Sequence, residues 1–362
     1  MQVLPNTSEC DERSSAASGE VRVMNPMEGP EWDRLVAAHA GATIFHTAAW
    51  ARVLSRTYGH RPFYLSSWKG GRVQALIPVM EVRSMITGRR GVCVPFADFC
   101  GPLCFEGANP GPAFAALSAL AAERGWKHWE IRGGDKPDSS ATRSISFYSH
   151  SLSLAGGPDN VFEGFDSAVR RAVRKGERNG VEIAVRSDRG AMLAYYALHV
   201  RTRRRHGLPP QSLNFFLNIH EEIIQTGLGS VVIATQGGEA IAGAVFFHCG
   251  ERALYKFGAC DERLLELRAN NLVMWAGIRF LCESGCTSLD FGRTSISQNG
   301  LRRYKLGWGT TESTAGYYRK DVRSASWETA SDRISGGHNA LFSRFPLGLN
   351  RFLGRLIYSH LD

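Results

Sequence analysis

No run of 18 or more apolar residues occurs in the 362-residue chain, so no segment of it reads as a bilayer-spanning helix. The eight cysteines include no CxxC pair. Their closest spacings, Cys100 with Cys104 and Cys282 with Cys286, lack a neighbouring histidine or second cysteine pair to complete a tetrahedral site. A metal centre is therefore not expected, and the thiols read as reduced and mostly buried in a cytosolic protein. There is no Walker lysine loop and no G-x-G-x-x-G after a strand, which excludes nucleotide hydrolysis and hydride transfer. No G-x-S-x-G elbow surrounds a serine, and His46, His199, His206 and His248 lie in unrelated contexts, which excludes a serine triad. The first twenty residues are polar and partly acidic, with neither a basic n-region nor an apolar h-region. They read as a disordered tail rather than a secretory signal.

Charge and hydrophobicity are what the chain does have. A formal charge of +9 suits phosphates, nucleic acid or anionic headgroups as partners. With 43% hydrophobic residues the length supports two domains with sizeable cores, and 39 glycines suit many turns between short elements.

The periodicity gives an α/β protein whose plan is used twice. Helices are expected over PEWDRLVAAHA and from the N-cap candidate Thr47 to Gly59. A hairpin follows, FYLSSW (63–68) and VQALIPVMEV (73–82), turning at Gly70 and Gly71. A strand at 91–96, a helix at 112–123 ended by Gly125 and the strand HWEIR (128–132) complete the first copy. The second copy runs in the same order: strands 230–235 and 240–249 around Gly237 and Gly238, strand 254–260, helix 271–284 ended by Gly285, and strand 288–293. Between the copies, residues 162–225 read as helical. Arg170, Arg171, Arg174, Lys175 and Arg178 gather on one face there, and Arg201, Arg203, Arg204, Arg205 and His206 precede the Pro209–Pro210 break.

Five stretches, HTAAW (46–50), VPFADFCGPL (94–103), AVRRAVRKGERNGVEI (168–183), TRRRHGLPP (202–210) and LDFGRTSISQNGLRRYKLGWG (289–309), together resemble the FemAB-like branch of the GNAT acyltransferase superfamily. The resemblance covers about residues 30–320, and the last stretch is its most specific part. It implies two tandem GNAT-like domains of α/β (α+β) class, each a mixed, splayed sheet flanked by helices: residues 21–155, then 156–325 with the basic segment 162–225. A tail (1–20) precedes them and a basic amphipathic segment (326–362) follows. The family's best-known members add amino acids from aminoacyl-tRNA to peptidoglycan precursors, and others serve extracellular polysaccharide or protein-sorting systems. The Q/R-x-x-G-x-G/A turn that binds the pyrophosphate of acyl-CoA is missing at LRANNLVMW (267–275), so the resemblance leaves both acyl-CoA and aminoacyl-tRNA open as co-substrate, with no permanently bound cofactor.

Acyl transfer requires a deprotonated acceptor and a stabilised oxyanion. The resemblance assigns that cation to Lys305, which taken alone reads as a surface lysine in a glycine-flanked loop. Asp98, in an aromatic loop, is a candidate for holding or deprotonating the acceptor, or else a turn former. Asp290 and Arg293, at the end of an apolar strand, read as substrate ligands or as an ion pair. Tyr304 and Trp308 flank Lys305 and either wall the site or pack. Arg174, Arg201, Arg204 and Arg205 are candidates for phosphate binding, and tRNA is included among the partners expected. The segment 340–361 has Arg344, Arg351 and Arg355 among apolar residues, which suits either an anionic membrane surface or docking on the protein's own core. The reading is a monomeric cytoplasmic acyltransferase, peripheral at the inner face of the membrane, that transfers an acyl or aminoacyl group directly onto an amine or hydroxyl of an anionic, lipid-linked envelope or exopolysaccharide precursor. The rival reading is a non-catalytic polyanion-binding scaffold that keeps the duplicated fold, and an RNA-binding role ranks below both.

Overall fold

The computed structural model describes residues 19–330 and 342–361. Of the expected tail, residues 1–18 lie outside the described residues, as do 331–341 and 362 in the C-terminal segment. Glu20 already opens the first strand.

Helices form where the sequence supplies caps and an apolar stripe. They are α1 (Glu31–Ala37), α2 (Ala48–Tyr58), α3 (Gly111–Glu123), α4 (Gly157–Glu163), α5 (Ser167–Arg178), α6 (Arg189–Arg205), α7 (Leu213–Ile219), α8 (Ala269–Glu283) and α9 (Asn299–Leu306), followed by a C-terminal helix, Leu347–Ile357. The Thr47 hydroxyl accepts from Trp50 N at the start of α2, and Asp188 does the same for Ala191 N at the start of α6. The strands are β1 (Glu20–Met24), β2 (Arg61–Pro62), β3 (Tyr64–Lys69), β4 (Arg72–Ile77), β5 (Met80–Ser84), β6 (Gly88–Cys93), β7 (Leu103–Cys104), β8 (His128–Arg132), β9 (Ile145–Ser153), β10 (Glu182–Arg186), β11 (Gly229–Gln236), β12 (Glu239–Cys249), β13 (Arg252–Cys260), β14 (Ser288–Ser295), β15 (Thr311–Asp321) and β16 (Trp327–Glu328).

Both halves pair their strands in one pattern. In the second, β10–β11, β11–β12 and β12–β13 are antiparallel and β13–β14 is parallel. In the first, β1–β3, β3–β4 and β5–β6 are antiparallel and β6–β8 is parallel. The expected single strand 73–82 is broken in two at Pro78, which has no N–H to give to a ladder. Before the break β4 stays with β1, β3 and β7 in a four-stranded sheet, and after it β5 enters the large sheet.

The halves then exchange their last strands. β9 leaves the first half and pairs with β14 of the second, while β15 leaves the second and pairs with β8 of the first. β9 and β15 also pair with each other, so one continuous sheet runs β10-β11-β12-β13-β14-β9-β15-β8-β6-β5-β2. Other expectations need correction. The helical stretch 162–225 contains a strand, β10, at the sheet edge, where Ile183 and Val185 alternate with Glu182, Ala184 and Arg186. The strand expected at 91–96 ends at Cys93. The glycine-flanked loop expected around Lys305 contains α9.

Two apolar clusters hold these layers. One joins α2, α6 and α7 to both halves through Trp50, Tyr195, Phe215 and Phe247. The other packs α8 on β12 through Phe246, Leu272, Trp275 and Trp308. At their closest approach a Cβ on Gly277 of α8 would lie 2.3 Å from the Phe246 ring, so only glycine fits. The C-terminal helix docks on the core by one face. Asn350 and Gly354 are buried, a Cβ on Gly354 would meet Pro210 O at 2.0 Å, and Tyr358 OH accepts from Arg203 Nη2 at 2.6 Å.

Candidate active site

The parallel strands β13 and β14 pair only over Arg252–Leu254 with Ser288–Asp290. Beyond that they part, and β14 shifts register against β9 between Asp290 and Arg293. Gly292, at the centre of this irregularity, has φ +70. Its N–H donates to Asp290 Oδ1 at 2.6 Å, and its carbonyl accepts from Lys305 Nζ at 2.7 Å. Lys305 Nζ also donates to Arg293 O at 3.1 Å.

The corresponding gap of the first half is closed by its own chain. β6 and β8 pair over Gly91–Cys93 with Trp129–Ile131, after which the chain loops out and returns so that Cys100 N donates to Arg132 O at 2.6 Å. This loop carries Asp98 into the open gap of the second half. Asp98 Oδ2 accepts from Lys256 Nζ of β13 at 2.9 Å, and its carboxyl lies 3.2–3.3 Å from where a Cβ on Gly292 would sit. Lys256 Nζ also donates to Phe96 O at 2.7 Å and stands 5.0 Å above the Phe45 ring. Arg293 stacks on Phe147 at 4.7 Å and donates to Tyr317 OH at 2.8 Å. Tyr317 OH in turn donates to the Asp98 carbonyl at 2.6 Å. Loop, β13, β14 and β15 are thus tied together around one gap.

Burial sets the protonation of these groups. It drives the Asp290 carboxyl up to about 6, and the nearby Asp98 charge adds to the rise. It draws the Lys305 ammonium down to about 8 against the opposing pull of Asp98 and Asp290. Asp98 goes the other way: burial would raise it, yet the charges of Lys256, Arg293 and Lys305 together hold it below the usual carboxylate range. His199 is buried, which pushes it down to about 3, so its imidazole is neutral.

Three concavities follow the last turns of α6, each with Thr202 in its wall. The first, about 520 Å³, has Asp98, Lys256, Arg293 and Arg132 at its head, with His199 and Arg203 along it. The second, about 200 Å³, lies between β13 and the start of α8 and is lined by Tyr255, Asn270 and Tyr304. The third, about 570 Å³, is lined by Arg201, Arg204, Arg205 and Arg263 with Asp261 and Glu262. A smaller cavity of about 70 Å³ lies on the other side of Asp98 and reaches Asp290, Ser151 and Ser288.

The structure therefore brings Asp98, Asp290 and Arg293 to the gap between β13 and β14, and places Tyr304, Arg201, Arg204 and Arg205 on the two further concavities around the end of α6. Lys305 is not at their surface. It is 4% exposed and sits behind β14 on α9, with two carbonyls as partners. Trp308 is wholly buried and packs edge-on against Phe165 at 5.1 Å, so it belongs to the core and walls no cavity. Arg174 lies on the outer face of α5, above the Phe162 ring at 5.7 Å, and lines none of these concavities. Lys256 went unnoticed in the sequence. The available signal was one cation inside the otherwise apolar strand LYKFGAC.

Residues 165–312 match the model of the acetyltransferase (GNAT) domain family. Among solved structures, FemX is 14% identical with a TM-score of 0.65, over 83% of this chain and 96% of FemX. A tandem GNAT protein from the clavulanic acid biosynthesis pathway is 12% identical with a TM-score of 0.54, over 87% and 100% of the two chains. The C-terminal domain of a putative lysylphosphatidylglycerol synthetase from Agrobacterium fabrum is 14% identical with a TM-score of 0.52, over 81% and 90%. No curated protein matches the chain. At these identities the likeness to solved structures is one of fold, and the fold is the tandem one that the motifs implied. Residues 165–312 thus match the acetyltransferase (GNAT) domain family, and the chain as a whole carries the fold of FemX and of the tandem GNAT protein.

Proposed function

We propose that this chain transfers an acyl or aminoacyl group directly onto an amine or hydroxyl of an anionic cell-envelope or exopolysaccharide precursor. The observation that carries the reading is the meeting of Lys256, Asp98 and Arg293 at the parted strands β13 and β14, at the head of a groove lined with arginines. An acyl donor with phosphates, acyl-CoA or aminoacyl-tRNA, fits that groove. Arg201 and Arg205 hold Asp261 and Glu262 only at 3.9 and 3.7 Å, loose pairs that a phosphate displaces, and the N-terminal end of α8 opens beside them at Asn270.

The acceptor atom attacks the donor carbonyl. Its new bond to carbon forms first, giving a tetrahedral oxyanion, and the proton it sheds goes to the Asp290 carboxylate; the adduct then collapses, the bond from that carbon to the donor's sulfur or ribose oxygen breaks, and the departing atom takes up that proton. The oxyanion forms beside the Lys256 ammonium, two of whose three protons are held by Asp98 and Phe96 O. Lys305 acts from behind, holding the Gly292–Arg293 backbone so that Asp290 and Arg293 keep their positions. No covalent enzyme intermediate is involved.

Titration calorimetry of the full chain with acetyl-CoA, with aminoacyl-tRNA and with a lipid-linked sugar pyrophosphate tests this. One donor should bind saturably, and Lys256→Met should lower turnover at least tenfold with donor affinity little changed. If no donor saturates, and only salt-sensitive binding to polyanions remains, acyl transfer by this chain is ruled out.

A further inference from the structure

The C-terminal helix has two faces. Asn350, Gly354 and Tyr358 point into the protein, whereas Leu349, Phe352 and Leu356 are 43, 58 and 50% exposed. These three stand at helical spacing on the outer side, so docking on the core leaves an apolar row uncovered. Arg344, Arg351 and Arg355 are exposed on the same segment. No acidic residue lies between 342 and 361.

A second element nearby has the same chemistry. The hairpin joining β5 to β6 carries Met85 and Ile86 at its tip, 99 and 77% exposed, the two most exposed large apolar side chains among the described residues. Arg83 and Arg89 flank them and are exposed. The nearest acid, Glu81, is fully buried and already paired with Arg83 and Arg124. The hairpin adjoins the end of the C-terminal helix, where Arg90 Nη2 donates to His360 O at 2.9 Å. Single exposed apolar residues need no explanation, but two adjoining elements that each combine exposed apolar tips with exposed arginines do.

We infer that the C-terminal helix and the β5–β6 hairpin together form a docking surface for an anionic lipid bilayer. Arginines meet the headgroups while Leu349, Phe352, Leu356, Met85 and Ile86 enter the boundary between headgroups and acyl chains. The C-terminal segment also walls two of the concavities described above: Tyr358 and Leu361 line the one that holds Asp98 and Lys256, and Ser343 and Leu347 line the one that holds Arg201 and Arg204. Docking would thus set the groove beside the bilayer. This surface stands independently of acyl transfer and of the donor's identity.

Vesicle flotation of the full chain provides the test. Vesicles of phosphatidylcholine with about one third phosphatidylglycerol should carry the protein to the top of the gradient, and pure phosphatidylcholine vesicles should carry at least about tenfold less. Phe352→Asp with Leu356→Asp, and separately Met85→Asp with Ile86→Asp, should each weaken binding about tenfold or more. These side chains are exposed, so the variants should keep the wild-type melting temperature. Absence of binding to the anionic vesicles overturns the inference, as does binding that both charge pairs leave unchanged. If sedimentation shows a dimer that Phe352→Asp dissolves, the face is covered by a second copy and the inference falls in that way.

Discussion

Asp98 and Lys256 come from opposite halves of the chain and meet at 2.9 Å in the gap between β13 and β14. The first half closes its own strand gap, and the loop that closes it supplies the anion for the second. The two copies are thus unequal by construction. One contributes a finished surface and an aspartate, and the other contributes the open strands.

Breaking this pair should be asymmetric. Asp98→Asn leaves Lys256, 7% exposed, beside Arg293 and Arg132 with no anion bonded to it. Lys256→Met leaves Asp98 with Arg293 and Lys305 still close by. Removing one partner of a buried pair costs about 3–5 kcal/mol, so Asp98→Asn should lie at the upper end of that range and Lys256→Met below it. Asp98→Asn combined with Lys256→Met should cost less than Asp98→Asn alone. Urea unfolding of the three variants measures this.

Asp290 should make the protein less stable as its surroundings turn neutral. Its folded pKa of about 6 lies above the unfolded value of about 3.9. Between these values the folded state binds more protons, so stability falls as pH rises from about 4 to about 6 and then levels. The full loss is on the order of 3 kcal/mol. Asp290→Asn should remove that slope and be the more stable protein at pH 7.5. It should also abolish turnover, and the wild-type rate should show an acid limb near pH 6 that the variant lacks.

Much of this site was legible in the sequence, and what was missed shares a physical cause. Local periodicity and glycine turns placed both hairpins and both helix–strand endings, because those signals need only near neighbours. The exchange of β9 and β15 has no local signature: the partners of Phe147 and Tyr317 are set by residues far away in the chain. Lys256 escaped notice for the same reason, since its anion is supplied by the other half. Lys305 was found by its motif but misplaced, because a lysine in a short polar helix looks exposed until β14 is laid over it.

That burial gives Lys305 a pH signature of the opposite sign. Its folded pKa of about 8 lies below the unfolded value of about 10.4, so the unfolded chain binds more protons between them. The contribution of this residue to stability should therefore rise as pH goes from about 8 to about 10. Lys305→Met cannot donate to Gly292 O and Arg293 O. Relative to the wild type, its melting temperature should fall further behind at pH 9.5 than at pH 7.5. A turnover loss accompanied by weaker acceptor binding would fit a positioning role through β14, whereas a loss in kcat alone, with stability unchanged, would return Lys305 to direct contact with the oxyanion.

Gly292 tests whether the exact approach of Asp98 to β14 matters, and Gly285 supplies its control. Both have positive φ, +70 and +83, so alanine at either strains the backbone by about 1 kcal/mol. A Cβ on Gly285 would meet nothing within 4 Å, whereas one on Gly292 would press on the Asp98 carboxyl at 3.2 Å. That contact can be relieved only by moving Asp98, which loosens its bond to Lys256. Gly285→Ala should therefore lower stability by about 1 kcal/mol and leave turnover intact. Gly292→Ala should lose more stability and at least about tenfold in kcat/KM. Equal effects of the two substitutions would mean that backbone strain alone explains Gly292, and that the Asp98–Lys256 geometry tolerates displacement.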